Sequence, residues 1–227
     1  MVAWKSASGV PSEVQTALQD AMEHAVANVP QLDGRLVVCP DVSGSMAHSS
    51  ITGQRRRATS VVRCIDVAGL IAAAMLRQNR DARVIPFETG VRDIRLNPRD
   101  SVMTLAERLA KIAGGGTNCS APLALLNRER AKVDVVVYVS DNESWVDAHR
   151  GRGTGMMSEW ETLRSRNPDA KLICIDLTPN VYKQTLDRPD ILNVGGFSDL
   201  VFDVIAQFAA GRGNARHWAE LIERTEL

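Results

Sequence analysis

The sequence contains few aromatic residues and no excess of charge of either sign. Aromatic side chains make up 4% of the 227 residues, whereas hydrophobic residues make up 44%. A core must therefore be built mainly from Val, Ile, Leu and Ala, a composition typical of α/β domains, and disorder is not expected. Because 27 Lys and Arg residues balance 27 Asp and Glu residues, a polybasic protein is excluded and any argument from charge must be local.

The sequence also lacks the cysteine and apolar patterns of several protein classes. Its four cysteines are widely separated, and none belongs to a C-x-x-C pair or to a Cys/His spacing of the kind that structural zinc uses. No stretch approaches the ~20 apolar residues of a membrane span, and the N-terminus has no apolar signal-peptide region. We therefore expect a soluble, cytoplasmic protein with reduced thiols and no membrane partner.

Apolar periodicity predicts strands and helices that alternate along the chain. Apolar residues at spacings of three and four predict an N-terminal amphipathic helix from Pro11 to Val29, and the run from Arg35 to Asp41 has the pattern of a buried parallel strand. A turn after Phe87 predicts a short antiparallel strand over residues 91–96. Further strands are predicted near residues 82–87, 133–139, 171–177 and 191–194, and further helices near 65–76, 101–112, 122–130, 158–166 and 198–210.

This alternation predicts an α/β fold, a doubly wound and mainly parallel central sheet with one antiparallel edge strand and helices on both faces. We expect an N-terminal helical extension over residues 1–30, one domain over residues 31–212 and a C-terminal tail over residues 213–227. Ligands of such sheets bind at the carboxyl ends of the strands, so the loops at that edge are the candidate site.

Three polar loops are predicted at this edge of the sheet. They carry five side chains with oxygen donors, namely Asp41, Ser43, Ser45, Thr117 and Asp141. Two carboxylates and three hydroxyls suit a hard cation such as Mg²⁺, with Mn²⁺ or Ca²⁺ as alternatives. The competing interpretation of the first loop is a strand-to-helix turn that uses Asp, Ser and Gly for capping and backbone geometry alone.

The donor set predicts how such an ion would act. If the three hydroxyls bind the metal and the two carboxylates hold its waters, no anionic side chain touches the ion, which then accepts a carboxylate from a protein partner. Glu143 is a further candidate, either as a ligand or as a helix cap, and Cys119 is interpreted as a loop neighbour rather than a ligand. Trp145 and Trp160 are either exposed anchors or core residues.

The spacing of these residues resembles a known motif. D-x-S-G-S at residues 41–45, G-G-T at 115–117 and V-S-D at 139–141 are similar to the metal-ion-dependent adhesion site of von Willebrand factor A domains. The resemblance covers roughly residues 33–210 and all five motif positions are filled. It implies a Rossmann-like fold, and it implies that Asp41, Ser43, Ser45, Thr117 and Asp141 hold Mg²⁺.

A narrower resemblance concerns the amino-acid sequence around two of these loops. T-N-C-S-A-P-L at residues 117–123 and S-D-N-E-S-W at 140–145 are similar to the C-terminal domain of Ro autoantigen (TROVE-module) proteins and their bacterial homologues. In that family an A-type domain closes a ring of helical repeats, and the ring binds small noncoding RNAs. This chain is far too short to hold the ring, so we expect a fragment of such a protein or a stand-alone relative.

The resemblance implies a non-enzymatic function, namely Mg²⁺-mediated binding of an acidic protein partner within a Ro-like ribonucleoprotein. A small noncoding RNA is then a possible partner within the larger assembly. The alternative is direct RNA binding through the basic loop with Arg55, Arg56 and Arg57, next to the metal loop. Such basic triplets usually mark a solvated surface loop, and no aromatic side chain interrupts the run to stack on bases.

A hydrolase is the least favoured interpretation. It would use Ser43 or Ser45 as the nucleophile, with His48 and Asp41 completing a triad. The sequence contains no G-x-S-x-G elbow, and Gly114 to Gly116 match neither a P-loop nor a dinucleotide-binding motif. The sequence therefore predicts a binding domain rather than an enzyme.

Overall fold

A computed structural model describes residues 1–7, 9–51, 61–141, 155–179, 185, 188–198 and 200–212. Helices and strands alternate over these ranges as the periodicity predicts. Their order is α1 (Val2–Ser6), α2 (Ser12–Val26), β1 (Leu36–Pro40), α3 (Gly44–His48), α4 (Cys64–Gln78), β2 (Arg83–Val84), α5 (Val102–Ala110), α6 (Ala121–Arg128), β3 (Val135–Ser140), α7 (Gly155–Arg164), β4 (Lys171–Asp176), β5 (Ile191–Gly195) and α8 (Leu200–Ala209).

The five strands form one parallel sheet in the order β2-β1-β3-β4-β5. Every residue of β1 and of β3 is buried, as continuous apolar runs predict for strands covered on both faces. The register pairs Leu36 with Val135 and Pro40 with Val139, so the two central strands end at the same level. Their carboxyl ends therefore meet at one edge of the sheet.

Alternate residues of each strand pack into two apolar clusters, one on each face of the sheet. Val38 and Val137 belong to the cluster that α4, α5 and α8 cover, whereas Val37 and Val136 belong to the cluster that α6 and α7 cover. This alternation follows from the two-residue period of a strand. The doubly wound α/β fold is confirmed.

The predicted antiparallel edge strand over residues 91–96 is not formed. A single antiparallel bridge joins Phe87 to Val91, and the backbone of residues 92–96 has no strand conformation. The backbone N–H of Arg92 donates to the carbonyl of Pro86 at 2.8 Å, but Pro86 has no N–H with which to extend a ladder. The segment instead packs Ile94 and Leu96 against the first apolar cluster.

The N-terminal helices pack against α4 and α5. One carboxylate oxygen of Glu23 accepts the N–H of Val102 at 2.7 Å, at the start of α5, and the other accepts Arg77 at 2.8 Å. Lys5 forms a 2.5 Å ion pair with the nearly buried Asp66 of α4. Residues 213–227, assigned to a C-terminal tail, lie outside the described residues, and the predicted boundaries at residues 30 and 212 remain predictions.

No helix in the described part of the chain has both the length and the apolar character needed to cross a membrane.

Helices α4 and α5 approach each other closely at Gly69. A Cβ atom added to Gly69 would lie 2.8 Å from the backbone carbonyl oxygen of Ala106, a distance too short for a carbon–oxygen contact. The close approach requires the absence of a side chain, since a backbone atom cannot rotate away as a side chain can.

We expect Gly69→Ala to lower the free energy of unfolding by about 1–3 kcal/mol, because the added methyl group forces α4 and α5 apart. Urea denaturation measures this loss. Gly90→Ala is the matched control, since a Cβ at Gly90 meets no atom within 4 Å. Equal stability of the two variants would contradict the packing argument.

Candidate metal centre

The first loop of the candidate site leaves the sheet between two neighbours. The N–H of Asp41 donates to the carbonyl of Val139 at 2.9 Å, and the N–H of Val42 donates to the carbonyl of Phe87 at 2.8 Å. These bonds continue the pairing of β1 beyond its last residue on both sides. They fix the position of Asp41 at the carboxyl edge of the sheet.

The side chains of the first loop form a hydrogen-bonded arc. Asp41 is fully buried, and its Oδ1 accepts the N–H of Ser43 at 2.8 Å. Ser43 is also fully buried and occupies the N-cap position of α3, and its Oγ lies 3.1 Å from the Oγ of Ser45. The spacing Asp-x-Ser-x-Ser therefore brings one carboxylate and two hydroxyls together.

The glycine loop before Thr117 is bonded to the first loop. Gly44 donates its N–H to the carbonyl of Gly115 at 3.1 Å, and Gly114 donates to the carbonyl of Val42 at 3.1 Å. Gly115 has a φ of +70°, and a Cβ there would lie 1.2 Å from Oε2 of Glu88. Only glycine fits this position. Gly115 keeps the chain in contact with the first loop two residues before Thr117, which is buried.

The third loop supplies a hydroxyl as well as a carboxylate. Oγ of Ser140, the last residue of β3, donates to Oδ2 of Asp41 at 2.7 Å. Asp141 follows directly and is 2% exposed, and its carbonyl accepts the hydroxyl of Thr178 at 3.3 Å. The three loops that the sequence predicts to be neighbours thus meet at one edge of the sheet.

The electrostatics of the site are unfavourable to a lone carboxylate. Burial raises the pKa of Asp41 to about 6, although hydrogen bonds from Ser43 and Ser140 oppose this shift, and the charge of Asp141 raises the pKa further. Burial also raises the pKa of the Cys64 thiol to about 11, with further contributions from the charges of Asp141, Asp176 and Asp41. The carboxylates are therefore close enough to repel one another, and the Cys64 thiol remains protonated at neutral pH.

The residues present fit a hard cation bound through hydroxyls and water. Within the described ranges no group of three or more His, Cys, Asp and Glu side chains is placed to hold a metal. The hydrogen-bond donors to Asp41, the Ser43 N–H and the Ser140 hydroxyl, are neutral groups. A cation at this edge would compensate the negative charge of Asp41 and Asp141, which neutral donors cannot do.

Two groups that support the site were not predicted from the sequence. The first is the Ser140 hydroxyl, which orients Asp41. The second is the turn of Glu88 and Thr89, whose atoms accept the N–H groups of Asn118 and Gly116 at 2.7 and 3.0 Å. The sequence signal for Ser140 is its place directly before the strand-end Asp141, whereas nothing in the sequence distinguishes Glu88.

Several sequence-based interpretations can be compared with the structure. Trp160 is a core residue, fully buried with its Nε1 donating to Asp190 at 2.8 Å. Cys119 is buried in the second apolar cluster, and its carbonyl accepts the hydroxyl of Tyr138 at 2.9 Å. Nδ1 of His48 lies 2.6 Å from the carbonyl oxygen of Gly44. The residues that lie outside the described ranges are Arg55, Arg56, Arg57, Glu143 and Trp145.

Comparison with known proteins agrees with the fold. A curated relative from Deinococcus radiodurans, named RNA-binding protein RO60, is 29% identical over 199 residues, which cover 87% of this chain and 36% of the relative. The crystal structure of the Deinococcus radiodurans RO (RSR) protein has the same fold, with a TM-score of 0.72 and 24% identity over 93% of this chain and 42% of that one. The chain thus spans well under half the length of these proteins.

The match to a family covers most of the chain. The sequence profile described as the Ro60 vWA domain matches residues 35–209, which include β1, the last full turn of α8 and all five candidate metal-site residues. Agreement of the profile, the curated relative and the fold leaves one assignment. The chain belongs to the Ro60 vWA domain family.

Proposed function

We propose that this chain is a non-enzymatic, metal-dependent binding domain of a Ro-like protein. Asp41, Ser43, Ser45, Thr117 and Asp141 would hold Mg²⁺, with Mn²⁺ or Ca²⁺ as alternatives. When bound, the ion would supply a Lewis-acidic position that accepts a carboxylate oxygen from an acidic side chain of a protein partner. The observation that carries the proposal is the convergence of three polar loops on the buried pair of Asp41 and Asp141.

The roles of the individual residues follow from their hydrogen bonds. Each oxygen of Asp41 already accepts one bond, from the N–H of Ser43 and from the hydroxyl of Ser140, so the carboxylate is held in a fixed orientation. A carboxylate fixed in this way suits the acceptance of a further bond from a metal-bound water. The hydroxyls of Ser43, Ser45 and Thr117 are the neutral donors proposed as direct ligands, and they leave the positive charge available to a partner.

The proposal requires that the bound ion keep a coordination position open to a partner. A metal titration alone does not test this requirement. We expect Mn²⁺ bound to the full chain to retain a rapidly exchanging water, which water-proton relaxation detects. A short glutamate-rich peptide should lower this relaxation enhancement by displacing the water, whereas an isosteric glutamine-rich peptide should leave it unchanged. An equal response to both peptides, or no enhancement on addition of Mn²⁺, would refute carboxylate acceptance.

Direct RNA binding is the second candidate function. It is supported by the name of the curated relative, an RNA-binding protein, and by the basic sequence at Arg55, Arg56 and Arg57. That relative is far longer than this chain, so its RNA contacts can belong to the part that this chain does not contain.

We expect direct RNA binding, if this domain performs it, to weaken with salt at a slope of about −0.7 to −0.9 per phosphate contacted. Fluorescence anisotropy of a labelled structured RNA at several salt concentrations measures the slope. Replacing the three arginines by Gln should make it shallower, and replacing Arg35, Arg80 and Arg99 provides a charge-matched control. No binding at low salt would assign RNA recognition to another part of the larger protein.

A further inference from the structure

Residues 88–90 form a tight turn beside the first loop of the metal centre. The N–H of Phe87 donates to the carbonyl of Pro40 at 3.1 Å, and the carbonyl of Phe87 accepts the N–H of Val42 at 2.8 Å. Directly after this residue, the N–H of Glu88 donates to the carbonyl of Gly90 at 2.9 Å. We call residues 88–90 the 88–90 turn. The two backbone bonds of Phe87 fix its position relative to the first loop.

Both neighbours of Thr117 in the chain bond to the 88–90 turn. The N–H of Asn118 donates to the carbonyl of Glu88 at 2.7 Å, and Nδ2 of Asn118 donates to the carbonyl of Thr89 at 3.3 Å. The N–H of Gly116 donates to the hydroxyl oxygen of Thr89 at 3.0 Å. One turn therefore holds the backbone on both sides of the buried Thr117, and the direction of the Thr117 side chain depends on this backbone.

The carboxylate of Glu88 orients the Thr89 hydroxyl. The bond from Gly116 occupies a lone pair of the hydroxyl oxygen, so the hydroxyl proton must be donated elsewhere. Oε2 of Glu88 accepts this proton at 3.2 Å. Glu88 is buried, and its Oε1 lies 2.8 Å from Nη2 of Arg92, an ion pair that keeps the carboxylate in place. The hydroxyl is therefore directed to accept the N–H of Gly116.

Glu88 and Thr89 also fill the space beside Gly115. A Cβ atom at Gly115 would lie 1.2 Å from Oε2 of Glu88 and 3.0 Å from Oγ1 of Thr89. The carbonyl of Gly115 in turn accepts the N–H of Gly44, in the first loop, at 3.1 Å. Residues 115–118 are thus in contact with both the 88–90 turn and the first loop, which restricts their movement.

The rigidity of this segment bears on which ion the proposed centre selects. Mg²⁺ demands a near-ideal octahedron of oxygens at about 2.0–2.1 Å, whereas Ca²⁺ accepts a flexible arrangement of about six to eight oxygens at about 2.3–2.6 Å. A ligand held in one position therefore favours the smaller ion. Of the three bonds that restrain residues 116 and 118, two are accepted by backbone carbonyls, which any residue supplies. The third is accepted by the side chain of Thr89.

We propose that Thr89 is a positioning residue of the metal centre, which restrains Thr117 through the N–H of Gly116 and thereby favours Mg²⁺ over Ca²⁺. The inference rests on the proposed function, because it requires Thr117 to be a ligand. Thr89 is not among the five proposed ligands, and its effect passes through the backbone of residues 116 and 117. Loss of its hydroxyl should therefore weaken the preference for the smaller ion without removing an oxygen from the centre.

Hydrogen exchange of the Gly116 amide tests the restraint without any metal. Thr89→Val removes the acceptor and keeps the size of the side chain, so in EDTA this amide should exchange about 3- to 10-fold faster. Thr89→Ser keeps the hydroxyl and should exchange at nearly the rate of the unsubstituted chain. NMR measures these rates, and the amide of Val137 in β3 should exchange equally in all three proteins. Equal exchange of Gly116 in Thr89→Val and the unsubstituted chain would overturn the proposal.

Calorimetric titrations of the full chain with Mg²⁺ and with Ca²⁺ test the selectivity. Thr89→Val should raise the Kd for Mg²⁺ about 10-fold and change the Kd for Ca²⁺ far less. Thr89→Ser should restore the preference for Mg²⁺. Thr16→Val is the matched control, since the Thr16 hydroxyl donates to the carbonyl of Ser12 at 3.0 Å within α2, and neither Kd should change.

The outcomes separate this inference from the proposed function. A Thr89→Val protein that binds both ions as the unsubstituted chain does, or that loses affinity equally for both, would overturn the inference and leave the metal centre standing. An unsubstituted chain that binds neither ion would refute the metal centre and the role of Thr89 together.

Discussion

We expect Mg²⁺ to stabilise this chain against unfolding and Asp41→Asn to abolish that stabilisation. The expectation follows from linkage, because a ligand that binds the folded state alone adds about 2.7 kcal/mol at a free concentration of about 100 times its Kd. Asn keeps the size of Asp41 and can still accept the Ser43 N–H, but it removes the negative charge that would hold metal-bound water. Urea denaturation in saturating Mg²⁺ and in EDTA measures the difference for each protein.

The matched control is Asp100→Asn, which removes a carboxylate that is paired with Arg108 and belongs to none of the three loops. It should keep the full response to Mg²⁺. Ser43→Ala should lose most of the response, since the proposed direct ligand is then missing while the charge of Asp41 remains. An Asp41→Asn protein that Mg²⁺ stabilises as strongly as the unsubstituted chain would refute the metal centre, whatever the fate of the RNA proposal.

The residues of the candidate site were predictable because the loops at strand ends can be recognised from the amino-acid sequence alone. A buried run that closes in Asp or in Ser-Asp predicts both the strand and the edge at which it ends, and Asp41 and Asp141 were found in this way. The alternation of strands and helices likewise predicts the doubly wound fold. The structure confirms the fold and places the first and third loops against each other.

The Ser140 contact could not be predicted, because it depends on the register between β1 and β3. Pairing of Pro40 with Val139 sets Asp41 beside Ser140 at the next position, whereas a shift of one residue would direct that hydroxyl to the other face. Apolar periodicity indicates which face is buried but not which residue of another strand lies opposite. Hydrogen bonds between side chains of different loops depend on this register, so they could not be predicted from the sequence either.

The absent edge strand illustrates a different limit of sequence patterns. The turn at residues 88–90 predicts a hairpin, with residues 91–96 as its second strand. The partner segment contains Pro86, which supplies a carbonyl to Arg92 but no N–H in return. An edge strand forms only where the neighbouring segment offers both N–H and carbonyl groups for pairing. The sequence of one segment does not show whether its neighbour offers them.

Without metal, the protein loses stability as the pH rises through the range in which Asp41 ionises. Burial, opposed by the bonds from Ser43 and Ser140 and assisted by the charge of Asp141, raises the pKa of Asp41 from 3.8 to about 6 in the folded state. Between these two values the folded chain binds more protons than the unfolded chain, so the free energy of unfolding falls with rising pH. The stabilising contribution is fully present below pH 3.8 and is lost as the pH passes 6. At 1.36 kcal/mol per pKa unit, this loss is about 3 kcal/mol.

The Asp41→Asn variant isolates this contribution, because its amide does not titrate. Burial raises the pKa of Asp66, but bonds from Arg63 and Lys5 more than offset it, and the pKa is lowered on balance. Asp66 titrates equally in both proteins and cancels in the difference. In EDTA, the unfolding free energy of the unsubstituted chain minus that of the variant should therefore decline between about pH 4 and pH 6.5. Saturating Mg²⁺ should reverse the decline, since the cation favours the ionised carboxylate. A difference that does not change with pH in EDTA would mean that Asp41 ionises without penalty, and the electrostatic demand for a cation at this edge would disappear.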